Sequence, residues 1–261
     1  MAQIQEHPAG SFCWLELATT DQAAAKNFYS SLFRWSPNDF PMGGGATYTM
    51  FQLDGSDAAA AYTMDQEMRD RGVPPHWMLY IATADADQAA AKAGQAGGKV
   101  LAEPFEVMNF GRMAVMQDPT GANFSVWEPK AHHGTGVKDV PGTLCWADLS
   151  TPDQDRAVKF YSEVFGWEIE AGTDGSGYLH IKNADQHIGG IPPAERHNPH
   201  APPHWMLYFL VDNCDASAQK AKELGGHLLM EPTTMEKVGR IAIVADPQHA
   251  VFALFQPPSH N

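Results

Sequence analysis

The chain has 261 residues, more than one typical domain and suited to two of about 130 residues each. Against 31 Asp and Glu there are only 17 Lys and Arg, a formal net charge of -14, so a phosphate backbone or an anionic membrane is an unexpected partner. No apolar run approaches the roughly 18 residues of a membrane span, and MAQIQEHPAG lacks the basic and apolar regions of a secretion signal. Three widely spaced cysteines form no disulfide framework, so a cytoplasmic protein is expected.

Along the chain, Phe12–Ala18 alternates with period two and predicts a strand. Thr20 or Asp21 caps the helix that follows, in which Ala25, Phe28, Leu32, Tyr29 and Phe33 make a buried stripe. Asn38–Gly45 reads as a loop, Thr47–Leu53 as a strand and Ala58–Thr63 as a weaker one. The pattern restarts with strand His76–Thr83 and helix Asp85–Ala96, which Gly97-Gly98 stops. Strands Met113–Gln117 and Asn123–Trp127 flank an Asp-Pro-Thr-Gly turn.

The same order then repeats. CWLELATTDQAAAKNFYSSLFRW at 13–35 returns as CWADLSTPDQDRAVKFYSEVFGW at 145–167, 132 positions later. PPHWMLY at 74–80 returns at 202–208, now 128 positions later, as do Gly97-Gly98, Gly111-Arg112 and Asp118-Pro119. The second copy is therefore four residues shorter between positions 167 and 202, opposite the FPMGGG loop of the first. Such agreement marks a tandem duplication. Its junction lies between Pro129 and Pro141, giving expected domains 1–134 and 135–261.

The F-Y-x-x-x-F-x-W helix, the H-W-M-x-Y strand, the Gly-Gly stop and the G-R…D-P…F hairpin resemble the vicinal-oxygen-chelate superfamily. That superfamily includes glyoxalases, bleomycin-resistance proteins and extradiol dioxygenases. The resemblance implies an α+β fold: four βαβββ units forming two cup-shaped, mostly antiparallel sheets with helices outside, and a small ligand on each concave face. It also implies a divalent metal held by His and Glu, and here this chain departs from the pattern. Seven residues before the helix-opening Asp21 and Asp153 stand Trp14 and Trp146; the matching places before Asp85 and Asn213 hold Met78 and Met206. Seven residues after the Asp of each Asp-Pro turn stand Ser125 and Ala253. A transition-metal site needs three or four N, O or S donors, so no metal cofactor is expected, with a divalent metal as the alternative.

Strand alternation puts Glu16 beside Trp14, and Asp148 beside Trp146. His76, Met78 and Tyr80 share a face, as do His204, Met206 and Tyr208; Ser125 with Trp127, and Ala253 with Phe255, complete each lining. Such an aromatic, Met-rich cup suits a flat apolar ligand oriented by few polar groups. Glu16, His76, Asp148 and His204 are the acid–base candidates, since desolvation raises a carboxyl pKa. Arg112 and Arg240 are placed to pair with Glu16 and Asp148 or with an anionic ligand, a surface salt bridge being the competing assignment. Trp14 and Met78 as core filling, and His76 as a cap after Pro74-Pro75, are the competing structural assignments.

Of the remaining candidates, His197, His200 and His204 are separated by prolines that bar a helix from aligning them. His132 and His133 lie in the linker and read as solvated, while Cys13 and Cys145 read as inert thiols facing away from Trp14 towards the helix. A metal-free small-molecule-binding protein is expected, with a lyase or dioxygenase-type enzyme, using acid–base residues or a rearranged metal site, as the alternative. A duplicated chain satisfies its unit pairing internally, so a monomeric pseudo-dimer is expected, with a dimer as the alternative. Ser125 and Trp127 against Ala253 and Phe255 make the N-terminal cup the expected more selective site.

Overall fold

The computed structural model describes residues 4–258. The first half contains β1 (Phe12–Thr19), α1 (Gln22–Phe33), β2 (Ser36–Gly43), β3 (Ala46–Leu53), β4 (Ser56–Thr63) and the short α2 (Gln66–Asp70). It continues with β5 (His76–Ala82), α3 (Ala86–Gln95), β6 (Lys99–Val107), β7 (Gly111–Gln117) and β8 (Asn123–Pro129). The second half contains β9 (Leu144–Ser150), α4 (Gln154–Phe165), β10 (Glu168–Ala171), β11 (Leu179–Asn183) and β12 (Gln186–Ile191). After these come β13 (His204–Leu210), α5 (Cys214–Glu223), β14 (His227–Met235), β15 (Gly239–Ala245) and β16 (Val251–Gln256).

Each half makes one eight-stranded sheet, ordered β2-β3-β4-β1-β5-β8-β7-β6 and β10-β11-β12-β9-β13-β16-β15-β14. The β1–β4, β5–β8, β9–β12 and β13–β16 pairings are parallel and the others antiparallel. The antiparallel β1–β5 pair, and its repeat β13–β9, joins two four-stranded units into each open sheet. This is the α+β tandem architecture that the repeat implied.

Local chemistry explains the elements. Asp21 caps α1 by accepting from the Ala24 amide at 2.9 Å, and Asp85, Asp153 and Asn213 do the same for α3, α4 and α5. Leu15 and Leu17 of β1 point to the convex side, where Ala25, Phe28, Tyr29 and Phe33 of α1 pack. Two strands differ from the sequence expectation. Ser36–Gly43, read in part as a loop, is the exposed edge strand β2, where Pro37 and Pro41 are tolerated because an edge leaves one side of the ladder unpaired. The edge strand β6 carries Pro104 and two register breaks that obscure its alternation.

The convex faces of the two sheets meet back to back. Strands β5 and β8 touch β13 and β16, while α1 lies against α5 and α3 against α4. One continuous apolar core spans both halves. Gly98 and Gly226, just after the helix stops, permit this approach: a Cβ on Gly98 would sit 2.7 Å from the Phe160 ring, and one on Gly226 3.1 Å from Phe28.

Polar groups cross the same seam in matched pairs. The Tyr29 hydroxyl donates to Asp246 at 2.9 Å and accepts from the Trp77 indole at 3.1 Å. Tyr161 repeats this with Asp118 at 3.0 Å and Trp205 at 3.0 Å. Trp35 donates to the Gly142 carbonyl and Trp167 to the Gly10 carbonyl. Each tyrosine therefore ties its helix to the Asp-Pro turn of the other half.

Removing one hydroxyl leaves two buried groups unpaired. Tyr29→Phe is expected to lower unfolding free energy by about 1–3 kcal/mol. Urea unfolding checks this, and a loss below about 0.5 kcal/mol would show that the seam does not depend on the bond.

Candidate functional site

The concave face of each sheet points away from the shared core. In the N-terminal cup, Trp14, Tyr80, Ala60, Ala82 and Trp127 form a separate apolar cluster with Tyr48, Met50, Met78 and Met113 packed against it. Glu16 lies in the middle of this surface, paired across the sheet with Met78 on one side and Ala60 on the other. Its carboxylate accepts from the Tyr80 hydroxyl at 2.7 Å, and Tyr48 adds a second phenol. The Trp14 indole in turn donates to the Tyr48 hydroxyl at 3.3 Å. Ser125, opposite Tyr80 on β8, is fully buried, and its hydroxyl has no hydrogen-bond partner.

The C-terminal cup repeats the arrangement with tighter bonds. Asp148 accepts from Tyr178 at 2.5 Å, Tyr208 at 2.9 Å and the Trp146 indole at 2.9 Å. Met206 lies opposite it on β13, and Phe255 and Ala253 line the neighbouring strand. Burial pushes the Glu16 and Asp148 carboxyls above the usual range, and the phenol hydrogen bonds only partly offset that. The same burial, with the adjacent carboxylates, pushes Tyr80 and Tyr208 well above an ordinary phenol. These phenols therefore remain donors, and the carboxyls are the groups that change protonation.

Tyr48 and Tyr178 went unremarked in the sequence. Tyr178 stands 130 positions after Tyr48, between the two repeat offsets, because the length difference is spread across this region. Alternation from Met50 was the signal that would have found them.

Other expected residues lie elsewhere. His76 stands opposite Ala18 at the strand end, one step past Met78. Its Nδ1 lies 2.9 Å from the Pro74 carbonyl, and that of His204 lies 2.8 Å from the Pro202 carbonyl. A carbonyl only accepts, so Nδ1 carries a proton in each ring. Burial lowers the His204 pKa. Neither imidazole reaches the carboxylates. His197 is 2.9 Å from the Ser150 hydroxyl and, among the described residues, joins no ligand cluster.

Arg112 and Arg240 leave the cups altogether. Ala114 and Met116 of β7 face the core, so Arg112 shares the convex side, where it grips Asp87 at 2.8 and 2.9 Å. Arg240 grips Asp215 at 2.6 and 2.7 Å. Both are surface ion pairs with a helix first turn, and neither reaches Glu16 or Asp148. Cys13 is also corrected. A register break between Phe12 and Trp14 turns it to the Trp14 side, where its thiol approaches the Tyr80 carbonyl at 3.5 Å. Burial raises its pKa and pushes that of Cys145 up to about 12, so both thiols are unreactive.

His132 is not a solvated linker residue. Its ring sits edge-on to Trp14 at 4.6 Å, and its carbonyl accepts from the Trp127 indole at 2.8 Å. It closes one end of the N-terminal cup.

On the outer strands the polarity contrast between the cups runs the other way from that of Ser125 and Trp127 against Ala253 and Phe255. Phe40 faces the N-terminal cup opposite Tyr48, and Phe105 faces it opposite Met113, both well exposed. The C-terminal cup has His180 opposite Gly190, Glu170 opposite His180, and Thr233 opposite Ile241. The second copy lost Ser125 and Trp127 but gained polar groups from its outer strands.

The donors required by the family's metal do not fit. Trp14, Trp146, Met78, Met206 and Ala253 offer an ion no usable ligand, and Ser125 alone makes no site. Among the described residues, no group of three or more His, Cys, Asp and Glu is placed to hold an ion.

Comparison with known proteins agrees with the architecture. The family model "Glyoxalase/Bleomycin resistance protein/Dioxygenase superfamily" matches residues 11–126 and 143–254. The chain is 40% identical to "Putative glyoxylase CFP32" of Mycobacterium tuberculosis, with 98% of each chain covered. It is 34% identical to "Anthracycline biosynthesis protein DnrV" of Streptomyces peucetius, covering 95% of this chain and 93% of that one. The Mn(II)-bound glyoxalase from Novosphingobium aromaticivorans superposes with a TM-score of 0.67 at 17% identity, covering 95% and 82%. The 2,3-dioxygenase LapB from Pseudomonas sp. KL28 superposes at 0.66 and 14%, covering 97% and 95%. At those identities the likeness is one of fold.

The raised carboxyl pKa values set a pH dependence. Below the ordinary carboxylate range Glu16 is neutral whether the chain is folded or not. As pH rises through the raised folded value, the native state resists ionisation that the unfolded chain accepts, and stability is lost. Glu16→Gln removes that cost, so its stability relative to wild type should grow between about pH 5 and about pH 8. Urea midpoints at both values check this; a difference that shrinks with pH would refute the burial of an acid.

Proposed function

Because the chain belongs to the glyoxalase/bleomycin resistance protein/dioxygenase superfamily, we propose that it binds a small, flat, aromatic or apolar molecule in its sheet cups, without a divalent metal. The observation that carries this is the Trp–carboxylate–Tyr cluster that lines each cup: Trp14, Glu16, Tyr48 and Tyr80, repeated as Trp146, Asp148, Tyr178 and Tyr208. Indole, phenol and thioether surfaces match a planar apolar ligand by shape and dispersion. The carboxyl and phenols at the centre then accept from or donate to its oxygen substituents and fix its orientation. The relative named for anthracycline biosynthesis supports a fused-ring ligand class.

A second reading is favoured by one observation. In both cups a buried carboxyl with a raised pKa is held by phenols that keep their protons. That is the arrangement of a general acid–base group, so lyase-type proton chemistry on the bound ligand is compatible with the same residues.

A hydroxynaphthoquinone probe tests the binding reading. Titration should quench tryptophan fluorescence saturably, and Trp14→Ala should weaken the tighter phase about tenfold, about 1.4 kcal/mol. Arg112→Ala and excess EDTA should leave binding unchanged. Loss of binding on chelation, restored by one added metal per cup, would overturn the metal-free reading.

A further inference from the structure

Glu16 is a cup carboxylate without a cation. It is half-buried on the concave side, whereas Asp148 is buried and takes three hydrogen bonds spread over both of its oxygens. The Tyr80 phenol donates to Glu16 Oε2 at 2.7 Å. Among the described residues no Lys, Arg or His forms an ion pair with it: Lys26 is held by Asp39 and Arg112 by Asp87, while His132 faces Asp57. Aromatic rings surround it instead. Trp14 lies two residues before it on β1, with Tyr80 opposite Trp14 on β5. Tyr62 follows Ala60, the β4 partner of Glu16, by two residues and stands opposite Tyr48 on β3. Burial and the Glu16 charge together raise the pKa values of Tyr48 and Tyr62, so both phenols lie within its field.

An ionised carboxylate in apolar surroundings is costly, and hydroxyl donors recover only part of that cost. A ligand alcohol or ketone leaves the charge uncompensated. An ammonium group supplies the missing charge, and indole and phenol rings are the surfaces that attract alkylammonium ions through the ring quadrupole. The net charge of -14 favours the approach of a cation over that of an anion.

We propose that the N-terminal cup recognises a protonated or quaternary amine on its apolar ligand, with Glu16 as the counter-ion and Trp14, Tyr48, Tyr62 and Tyr80 as the aromatic walls. The proposal rests on the ligand-binding reading above and names the polar group of that ligand. Pairing requires the ionised carboxyl, and burial holds that group above its usual range. Affinity for the amine therefore rises with pH through the raised value, because a bound cation favours the charged form. The titratable groups around Glu16 come from several elements. Tyr48 on β3, Tyr62 on β4 and Tyr80 on β5 keep their protons, since burial and the adjacent carboxylate raise all three. His76 ends β5 on the same face, with Nδ1 at the Pro74 carbonyl. Asp65 lies near Tyr62, and the Asp57–His132 pair stands at the Trp14 end. Glu16→Gln separates the carboxyl from all of these.

Benzyltrimethylammonium is the probe, since its charge is permanent and any pH dependence belongs to the protein. Neopentylbenzene has the same shape without the charge. NMR titration of the full chain at about pH 8 should move the N-methyl protons upfield, as ring currents require, and show the cation binding about tenfold more tightly than its neutral isostere. The advantage should grow between about pH 5 and about pH 8 in wild type. Glu16→Gln should abolish both the advantage and its pH dependence. Glu163→Gln, which removes an exposed acid of α4, should change neither. Equal affinity for the two probes in wild type, or a preference that survives Glu16→Gln, would overturn the proposal. Hydroxynaphthoquinone quenching on the same samples separates the readings. Quinone binding without an ammonium preference refutes the amine alone, whereas no binding of any probe refutes the ligand reading itself.

Discussion

A buried tyrosine hydroxyl shared between an indole and a carboxylate of the opposite half is the constraint on which this architecture turns. Tyr29 and Tyr161 are fully buried, and removing either hydroxyl would leave one carboxylate oxygen of Asp246 or Asp118 without its partner in the core. An unpaired buried carboxylate is far costlier than the bond that satisfies it, so the seam is directional as well as apolar. Asp118 serves twice over. One oxygen accepts from the Thr120, Gly121 and Ala122 amides and shapes the Asp-Pro turn; the other accepts from Tyr161. The turn that ends one half is thus the anchor of the other.

That seam decides which sheet surfaces stay open. With both convex faces committed to each other, the concave sheet surfaces are left open, and those carry the aromatic and Met side chains that the core does not use. A carboxylate in the middle of such a surface is held in place by phenols whose own pKa values its charge raises. Desolvation wins over these hydrogen bonds in both cups, since both carboxyls stay above their usual range despite two or three donors.

What the sequence made legible follows from periodicity. Strong amphipathic helices, caps and the repeat itself were readable because buried aromatics and capping Asp recur at fixed spacing, as Asp21 and Asp153 do. The edge strand β2 was not, because its residues are all exposed and carry two prolines, so no alternation marks it. Trp14 and Glu16 were placed on a common face by counting from one strand. For Arg112 chemistry alone left a cup role and a surface salt bridge open, and the parity of Ala114 and Met116 decides for the salt bridge. Tyr178 and His180 escaped because they lie where the two copies differ in length, and a cross-sheet row is assembled only by strand pairing.

Covalent duplication explains how the cups diverged without loss of the fold. In a symmetric dimer of identical chains, any change in one cup occurs in both, and a polar row would be imposed on each. In a single chain, Met50 and His180 vary independently, while the seam keeps its matched pairs: Trp77–Tyr29–Asp246 and Trp205–Tyr161–Asp118. The seam pairs are held equal between the copies, and so are Trp14, Tyr48, Met78 and Tyr80 of the cup; the differences gather on the outer strands. Linking the halves relaxes symmetry where it has no structural cost, on the outer strands β10 to β12, and that is where the imidazoles and the extra carboxylate appear.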